Sequence, residues 1–216
     1  YLDPTFDIMA DVVLHPSFPA DEFDRQKKLA VDGIARQKAN PAGVASTVFN
    51  KMLFGASHPL GISSGGTETS VKALTLDNLK KNYQTYWRPN NASLVFAGDI
   101  TLDEAVKIAE KYFGSWKKGD VAAQKMPGHP TPSEPVIYLV DKQNAPQSQI
   151  RIGSTGPDRS TKDYYKLIVM NTLLGGGFSS RLNMNLREEK GYTYGANSGM
   201  VMAKTHGYWV AAAGVQ

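Results

Sequence analysis

Apolar residues over the first half of the chain recur mostly at helical spacing. Phe6, Ile8, Met9, Val12, Val13 and Leu14 predict a short helix over Asp7–Leu14, closed by His15-Pro16-Ser17-Phe18-Pro19. Asp21 is placed to cap the next helix, whose acidic first turn suits the positive end of the helix dipole. That helix runs to Ala39 and stops before Asn40-Pro41, because proline cannot continue the hydrogen-bond ladder. A third helix over Ala42–Phe54 ends at Gly55, and a loop rich in glycine and hydroxyls fills Ser57–Ser70. Thr75 then caps a helix whose apolar Leu76, Leu79, Tyr83 and Tyr86 share one face. After the turn Arg88-Pro89-Asn90-Asn91, the apolar run Ala92–Ala97 reads as a buried strand ending at Gly98-Asp99. Thr101-Leu102-Asp103-Glu104 is a capping box, and its helix turns Ala105, Ile108, Ala109 and Tyr112 inward.

The periodicity then lapses. Lys117–Pro135 holds Pro127, Pro130, Pro132 and Pro135, and reads as an interdomain linker. Beyond it, Val136–Val140 and Gln149–Ile152 predict strands. Tyr164–Leu174 predicts a helix with Leu167, Ile168, Asn171 and Leu174 on one side, broken by Gly175-Gly176-Gly177. Ser179 or Ser180 caps a further helix to Lys190, with Leu182 and Leu186 inside, and Gly191 stops it in a left-handed conformation. Tyr192–Met202 and Tyr208–Ala213 follow as strands around a turn near Lys204–Gly207. The expected fold class is α+β, with helices packed on a largely antiparallel sheet.

Composition narrows the function classes. The 216 residues carry 24 Lys+Arg against 20 Asp+Glu, a net charge of +4. The pI near 9.1 invites a nucleic-acid partner, but the cations are dispersed among acids. The nearest basic cluster, Arg25-Gln26-Lys27-Lys28, follows Asp21, Glu22 and Asp24 and reads as a solvated helix face, so no nucleic-acid partner is expected. The absence of cysteine excludes disulfides, thiol catalysis and Cys-ligated metal. The richest apolar stretch, Tyr208–Val215, is too short for a membrane-spanning helix. The chain opens on Tyr1-Leu2-Asp3-Pro4 and stops at Ala213-Gly214-Val215-Gln216, straight after a strand-like run, so it reads as a piece of a longer protein.

Three features carry candidate chemistry. The histidines form no helical pair: His15, His58 and His129 each precede a proline and His206 precedes a glycine, which makes them turn residues rather than a zinc peptidase motif. Gly175-Gly176-Gly177-Phe178-Ser179-Ser180 opens a helix, where anions can bind, but it lacks both the P-loop lysine and the dinucleotide spacing; a hinge or a close backbone approach is the better reading. Arg187 lies near a helix end, and Tyr192 and Tyr194 open the following strand. Residues two apart on a strand share a face, so Arg187 and one of the tyrosines can project into a common cleft and bond a carbonyl oxygen. The competing reading leaves the arginine on the surface and the tyrosines in the core.

The segment Leu173-Leu174-Gly175-Gly176-Gly177-Phe178-Ser179-Ser180-Arg181-Leu182, with Leu186-Arg187-Glu188-Glu189-Lys190-Gly191-Tyr192-Thr193-Tyr194, resembles the pitrilysin/insulinase-type metallopeptidases. It resembles the second half of the bacterial two-domain members, which also resemble mitochondrial processing peptidase. His15-Pro16-Ser17-Phe18-Pro19, Phe54-Gly55, His58-Pro59-Leu60-Gly61, Tyr86-Trp87-Arg88-Pro89-Asn90-Asn91 and Phe96-Ala97-Gly98-Asp99 fit the same family. The resemblance implies that 1–120 is the later part of a first domain, 121–134 the linker and 135–216 the start of a second. It also implies two such halves closing around an unfolded peptide. One half holds zinc through an inverted His-x-x-Glu-His motif and a downstream Glu, and the other supplies an Arg/Tyr pair seven positions apart. Arg187 and Tyr194 match that pair, whereas Tyr192 does not fit the spacing and is assigned to packing.

One departure bears on the role. Where zinc-binding relatives carry the downstream Glu, this chain reads Val31-Asp32-Gly33-Ile34, and the position is Gly33. Glycine has no ligating oxygen and costs roughly 0.5–1 kcal/mol in a helix interior. Asp32 sits about 100° round the helix and cannot replace it directly. The resemblance therefore implies a metal-free partner subunit, with no cofactor in this chain, zinc in a second peptidase subunit, and a bacterial envelope or periplasmic setting. The rivals are a scaffold or peptide-binding homologue without catalysis, and a zinc peptidase whose motif lies upstream of Tyr1.

Overall fold

The computed structural model describes residues 1–123, 125–128 and 134–216. His129 and the linker prolines Pro130 and Pro132 lie outside the described residues. These gather into two compact units, one of Tyr1–Val31 with Thr69–Gln124, the other of Asp32–Glu68 with Lys125–Gln216. Among the described residues no helix is long and apolar enough to cross a membrane.

The first unit is helical. Helix α1 spans Leu2–Leu14, beginning five residues before the expected start at Asp7. Helix α2 spans Ala20–Ala39 and passes from the first unit into the second. It starts at Ala20, so Asp21 lies in its first turn with Glu22 instead of capping it. Helix α4, Glu68–Ala73, replaces the end of the expected loop, and α5 spans Leu76–Tyr86. Helix α6 spans Leu102–Phe113. Thr75 and Thr101 both form full capping boxes, the first closed by Asn78 and the second by Glu104. Phe6 of α1 stacks on Phe96 and on Tyr112 of α6, with ring centroids 5.5 and 5.8 Å away. The Tyr83 hydroxyl of α5 donates to the Val13 carbonyl oxygen at 2.6 Å and closes the end of α1.

The second unit holds the sheet. Strands β1 (Ser148–Gly156), β2 (Thr193–Met202) and β3 (Gly207–Val215) form an antiparallel sheet in the order β1-β3-β2, confirming the α+β class. The register sets Ile150 opposite Ala213 and Ala213 opposite Ala196, while Arg151 and Asn197 flank Ala212. Because side chains alternate, Ile150, Ile152, Ala196, Ser198 and Trp209 share one face. Helix α7 (Tyr164–Leu174) and the helix that begins with α8 (Arg181–Asn183) lie on that face, where Asn171 of α7 bonds the Trp209 ring nitrogen. The opposite face receives α3, Pro41–Phe54. Its Phe49 ring rests on Gly153, where any Cβ would collide with it, and Phe54 meets Tyr208 edge-on at 5.7 Å.

Two expected strands are not formed. Residues 92–97 and 136–140 pair with no strand among the described residues. Val95 is 85% exposed, and Ile137 and Leu139 stand in solvent as well. An apolar run becomes a strand only where a neighbour takes its N–H and C=O groups, and none among the described residues does.

Candidate functional site

Helix α7 presents Tyr164, Leu167, Asn171 and Leu174 inward, three to four residues apart. Asn171 is the buried member of this row, while Ile168, expected on the same side, is exposed. Its amide donates to the Ser198 carbonyl oxygen at 3.0 Å and accepts from the Ser198 hydroxyl at 2.8 Å and from Trp209 Nε1 at 3.1 Å. Its own carbonyl caps the helix by accepting from the Gly175 and Gly176 N–H groups. The Gly175 carbonyl in turn accepts from Ser198 N–H at 2.8 Å. A Cβ at Gly175 would run into Ser198, so the glycine run marks a close backbone approach between loop and strand.

The next helix differs from expectation. Ser180 occupies the N-cap position but makes no capping bond, and among the described residues its buried hydroxyl has no hydrogen-bond partner. After Asn183 the ladder widens into a π turn over Met184–Glu189, in which the Lys190 N–H reaches back five residues to Asn185. Such turns recur at functional sites because the extra residue re-aims the side chains it carries. Arg187 lies within it. Its guanidinium sits 4.7 Å from the centre of the Phe178 ring, and its Nε lies 3.2 Å from the Glu188 carboxylate. Gly191 ends the helix at φ +65°, left-handed as the sequence implied. The Gly191 and Tyr192 N–H groups bond the carbonyls of Arg187 and Leu186, which turns the chain directly into β2.

Tyr194 enters on an irregularity. Thr193 pairs with Val215 and Ala196 pairs with Ala213, so β2 spends three steps where β3 spends two. This bulge turns both Tyr194 and Gly195 outward between buried Thr193 and Ala196. The Thr193 hydroxyl fastens it, accepting from Gly195 N–H at 3.1 Å and lying 2.7 Å from the Gly214 carbonyl. Tyr194 is 84% exposed, and among the described residues its hydroxyl has no hydrogen-bond partner. No hydrogen bond joins Arg187 to Tyr194, but both side chains are exposed on the two sides of one helix-to-strand junction. Tyr192 precedes the strand and lines an apolar cavity of about 510 Å³ with Ile150, Ile152, Leu182, Leu186 and Val215.

The other candidates are structural. His58 is buried. Its Nδ1 accepts from Leu60 N–H, its Nε2 lies 2.9 Å from the Pro127 carbonyl oxygen, and its ring stacks on Phe54. His15 sits at the end of α1 beside Asp11, His206 meets Phe54 edge-on, and His129 lies outside the described residues. Gly33 lies within unbroken α2, and a Cβ there would meet nothing nearer than the Arg36 guanidinium at 3.9 Å. A larger side chain would fit, yet none is present to ligate a metal. Among the described residues, no group of three or more His, Asp or Glu could hold a metal ion.

Sequence reasoning missed the residues that frame Arg187 and Tyr194. Phe178 and Thr193 lay inside the quoted segments but were given no role, and Asn183 lay outside them. The one signal was a polar Asn next to the Leu182/Leu186 face, where burial demands partners.

Comparison with known proteins identifies the family. Residues 73–216 match the family described as "Peptidase M16 inactive domain". The uncharacterized zinc protease YmxG of Bacillus subtilis is 30% identical over 192 residues, covering 89% of this chain and 46% of the relative. The uncharacterized zinc protease ML0855 of Mycobacterium leprae is 30% identical over 200 residues, covering 92% and 45%. The chain therefore spans somewhat less than half the length of these relatives. Among solved structures, a peptidase M16 inactive domain from Pseudomonas fluorescens superposes with a TM-score of 0.87 at 29% identity, covering all of this chain and 52% of that one. A protease from Helicobacter pylori shares the fold at a TM-score of 0.90 and 23% identity, with the same coverage.

Proposed function

The chain belongs to the M16 peptidase family, and from that premise we propose that it is the metal-free half of a zinc peptidase, with Arg187 and Tyr194 as its catalytic residues. The observation that carries this reading is the exposure of both groups at a junction built to present them. A bulge turns a tyrosine out of the sheet into solvent, and a π turn spreads an arginine over an aromatic ring a few residues away. A purely structural tyrosine would bury its ring.

In this reading a separate, zinc-bearing subunit would supply the activated water, and an unfolded peptide lies between the halves. This chain's task is to hold the scissile carbonyl. As the carbonyl carbon becomes tetrahedral, the C=O electron pair moves onto oxygen. An Arg187 N–H and the Tyr194 hydroxyl then donate to the developing oxyanion. The guanidinium stays charged throughout, and no proton leaves it. The domain division follows the same reading: 1–120 belongs to the first peptidase-like domain and 135–216 begins the second.

The test combines the complete protein with its zinc-bearing partner and follows cleavage of an unfolded peptide. Arg187→Ala or Tyr194→Phe is expected to lower kcat roughly 100- to 1,000-fold, the loss of one oxyanion donor. Unchanged cleavage in both variants refutes the assignment.

A further inference from the structure

Asn183 stands where the elements of this site meet. It lies one turn before Arg187 on the same helix and is 5% exposed. Its two neighbours on the apolar face, Leu182 and Leu186, line the cavity over the sheet. A leucine at 183 would suit that setting, whereas a buried amide is costly unless every group is bonded. Both ends of the Asn183 amide are bonded, each to backbone. Its Nδ2 donates to the Phe178 carbonyl oxygen at 2.8 Å, and its Oδ1 accepts from Ala196 N–H at 3.2 Å.

The two partners are telling. Phe178 is the residue whose ring lies against the Arg187 guanidinium. Ala196 closes the far end of the bulge that turns Tyr194 outward, while Thr193 clamps the near end. A single side chain thus ties the helix bearing Arg187 both to the loop under its guanidinium and to the strand bearing Tyr194. Helix and bulge cannot roll or slide past each other without breaking one of these bonds.

We infer that Asn183 is the positioning residue of the Arg187/Tyr194 pair, holding the π-turned helix and the β-bulge in fixed register so that both donors reach one oxygen. This rests on the catalytic assignment above. Asn183 touches no substrate; it acts through the two residues it spaces.

The experiment uses the full-length protein with its zinc-bearing partner and a fluorogenic unfolded peptide that the wild-type pair cleaves. Asn183→Leu keeps the volume and removes both bonds. It is expected to lower kcat roughly 10- to 100-fold, the cost of misplacing catalytic groups by about 1 Å, with KM within about twofold. Asn183→Asp keeps the acceptor for Ala196 N–H and loses the donor to Phe178, so it falls between Asn183→Leu and wild type. In an Arg187→Ala/Tyr194→Phe background, Asn183→Leu is expected to change the residual rate by less than about twofold, because nothing remains to position. Amide exchange at Ala196 should accelerate in Asn183→Leu while the circular dichroism spectrum is retained. If that variant does not fold, Asn183→Asp carries the same comparison. A wild-type kcat for the Asn183 variants beside a crippled Arg187→Ala overturns the inference and spares the catalytic pair. An equal loss with and without the pair makes Asn183 merely structural. Full activity in Arg187→Ala and Tyr194→Phe overturns both.

Discussion

Replacing Asn171 with leucine tests whether the buried amide, rather than apolar contact, binds α7 to the sheet. The side chains are similar in volume, so the change leaves no large cavity. It removes three hydrogen bonds, those to the Ser198 carbonyl, the Ser198 hydroxyl and the Trp209 indole. At about 1 kcal/mol net for each, the sum is about 3 kcal/mol. Ser198 is itself buried, so its hydroxyl becomes an orphan and holds the loss near that figure despite the added apolar surface of leucine. The expected fall in melting temperature is roughly 6–12 °C for a chain of this size. Urea unfolding by circular dichroism gives the free-energy change, with an unchanged m value as the control. Adding Ser198→Ala to Asn171→Leu removes the orphan and should return about 1 kcal/mol, whereas Ser198→Ala alone should destabilise. A loss under about 0.5 kcal/mol for Asn171→Leu, or strict additivity in the double variant, would show that the amide is not what fastens the helix.

Other outcomes follow from single positions. Gly191→Ala places a Cβ at φ +65° in open space, so its cost is conformational alone, about 1–2 kcal/mol in the same unfolding assay, and Gly191→Asn should cost less. Thr101→Ala removes the hydroxyl of the α6 capping box and should destabilise by about 1 kcal/mol; no change would mean that the box is not formed in solution. Hydrogen bonds from Arg25, and secondarily Gln26, hold the Glu22 carboxyl down to about 2. The stabilising contribution is therefore present above the ordinary carboxylate range and lost as pH falls toward 2, and a Glu22 titration midpoint near 4.5 by NMR would contradict it. The full-length protein, purified without its partner, should hold no tightly bound zinc; one zinc per chain by metal analysis would refute the metal-free assignment.

What the sequence disclosed was what is local. Thr75 and Thr101 announce their helices within four residues, and Leu167, Asn171 and Leu174 mark the inward side of α7, although Ile168, expected beside them, is exposed. Gly191 reads correctly because only a left-handed residue can turn that helix end so sharply. Pairing is not local, and so 92–97 and 136–140 look like strands by composition while lacking, among the described residues, neighbours to bond. The π turn was hidden for a related reason: Met184–Glu189 has the same apolar spacing whether the ladder reaches back four residues or five. The bulge that exposes Tyr194 likewise ends at Ala196, whose N–H donates to Asn183 of another element. The Arg187 and Tyr194 assignments came through family resemblance; residue chemistry alone left the tyrosine undecided.

The packing of Phe49 on Gly153 has a consequence for how the molecule is made. The partners lie roughly a hundred positions apart, so α3 leaves the ribosome long before the sheet that will cover it exists. Through that interval Phe49, Leu53 and Phe54 remain wet on the nascent chain. Slowed translation downstream of α3 would lengthen the time in which aggregation competes with assembly, and a holding chaperone would find its footing there.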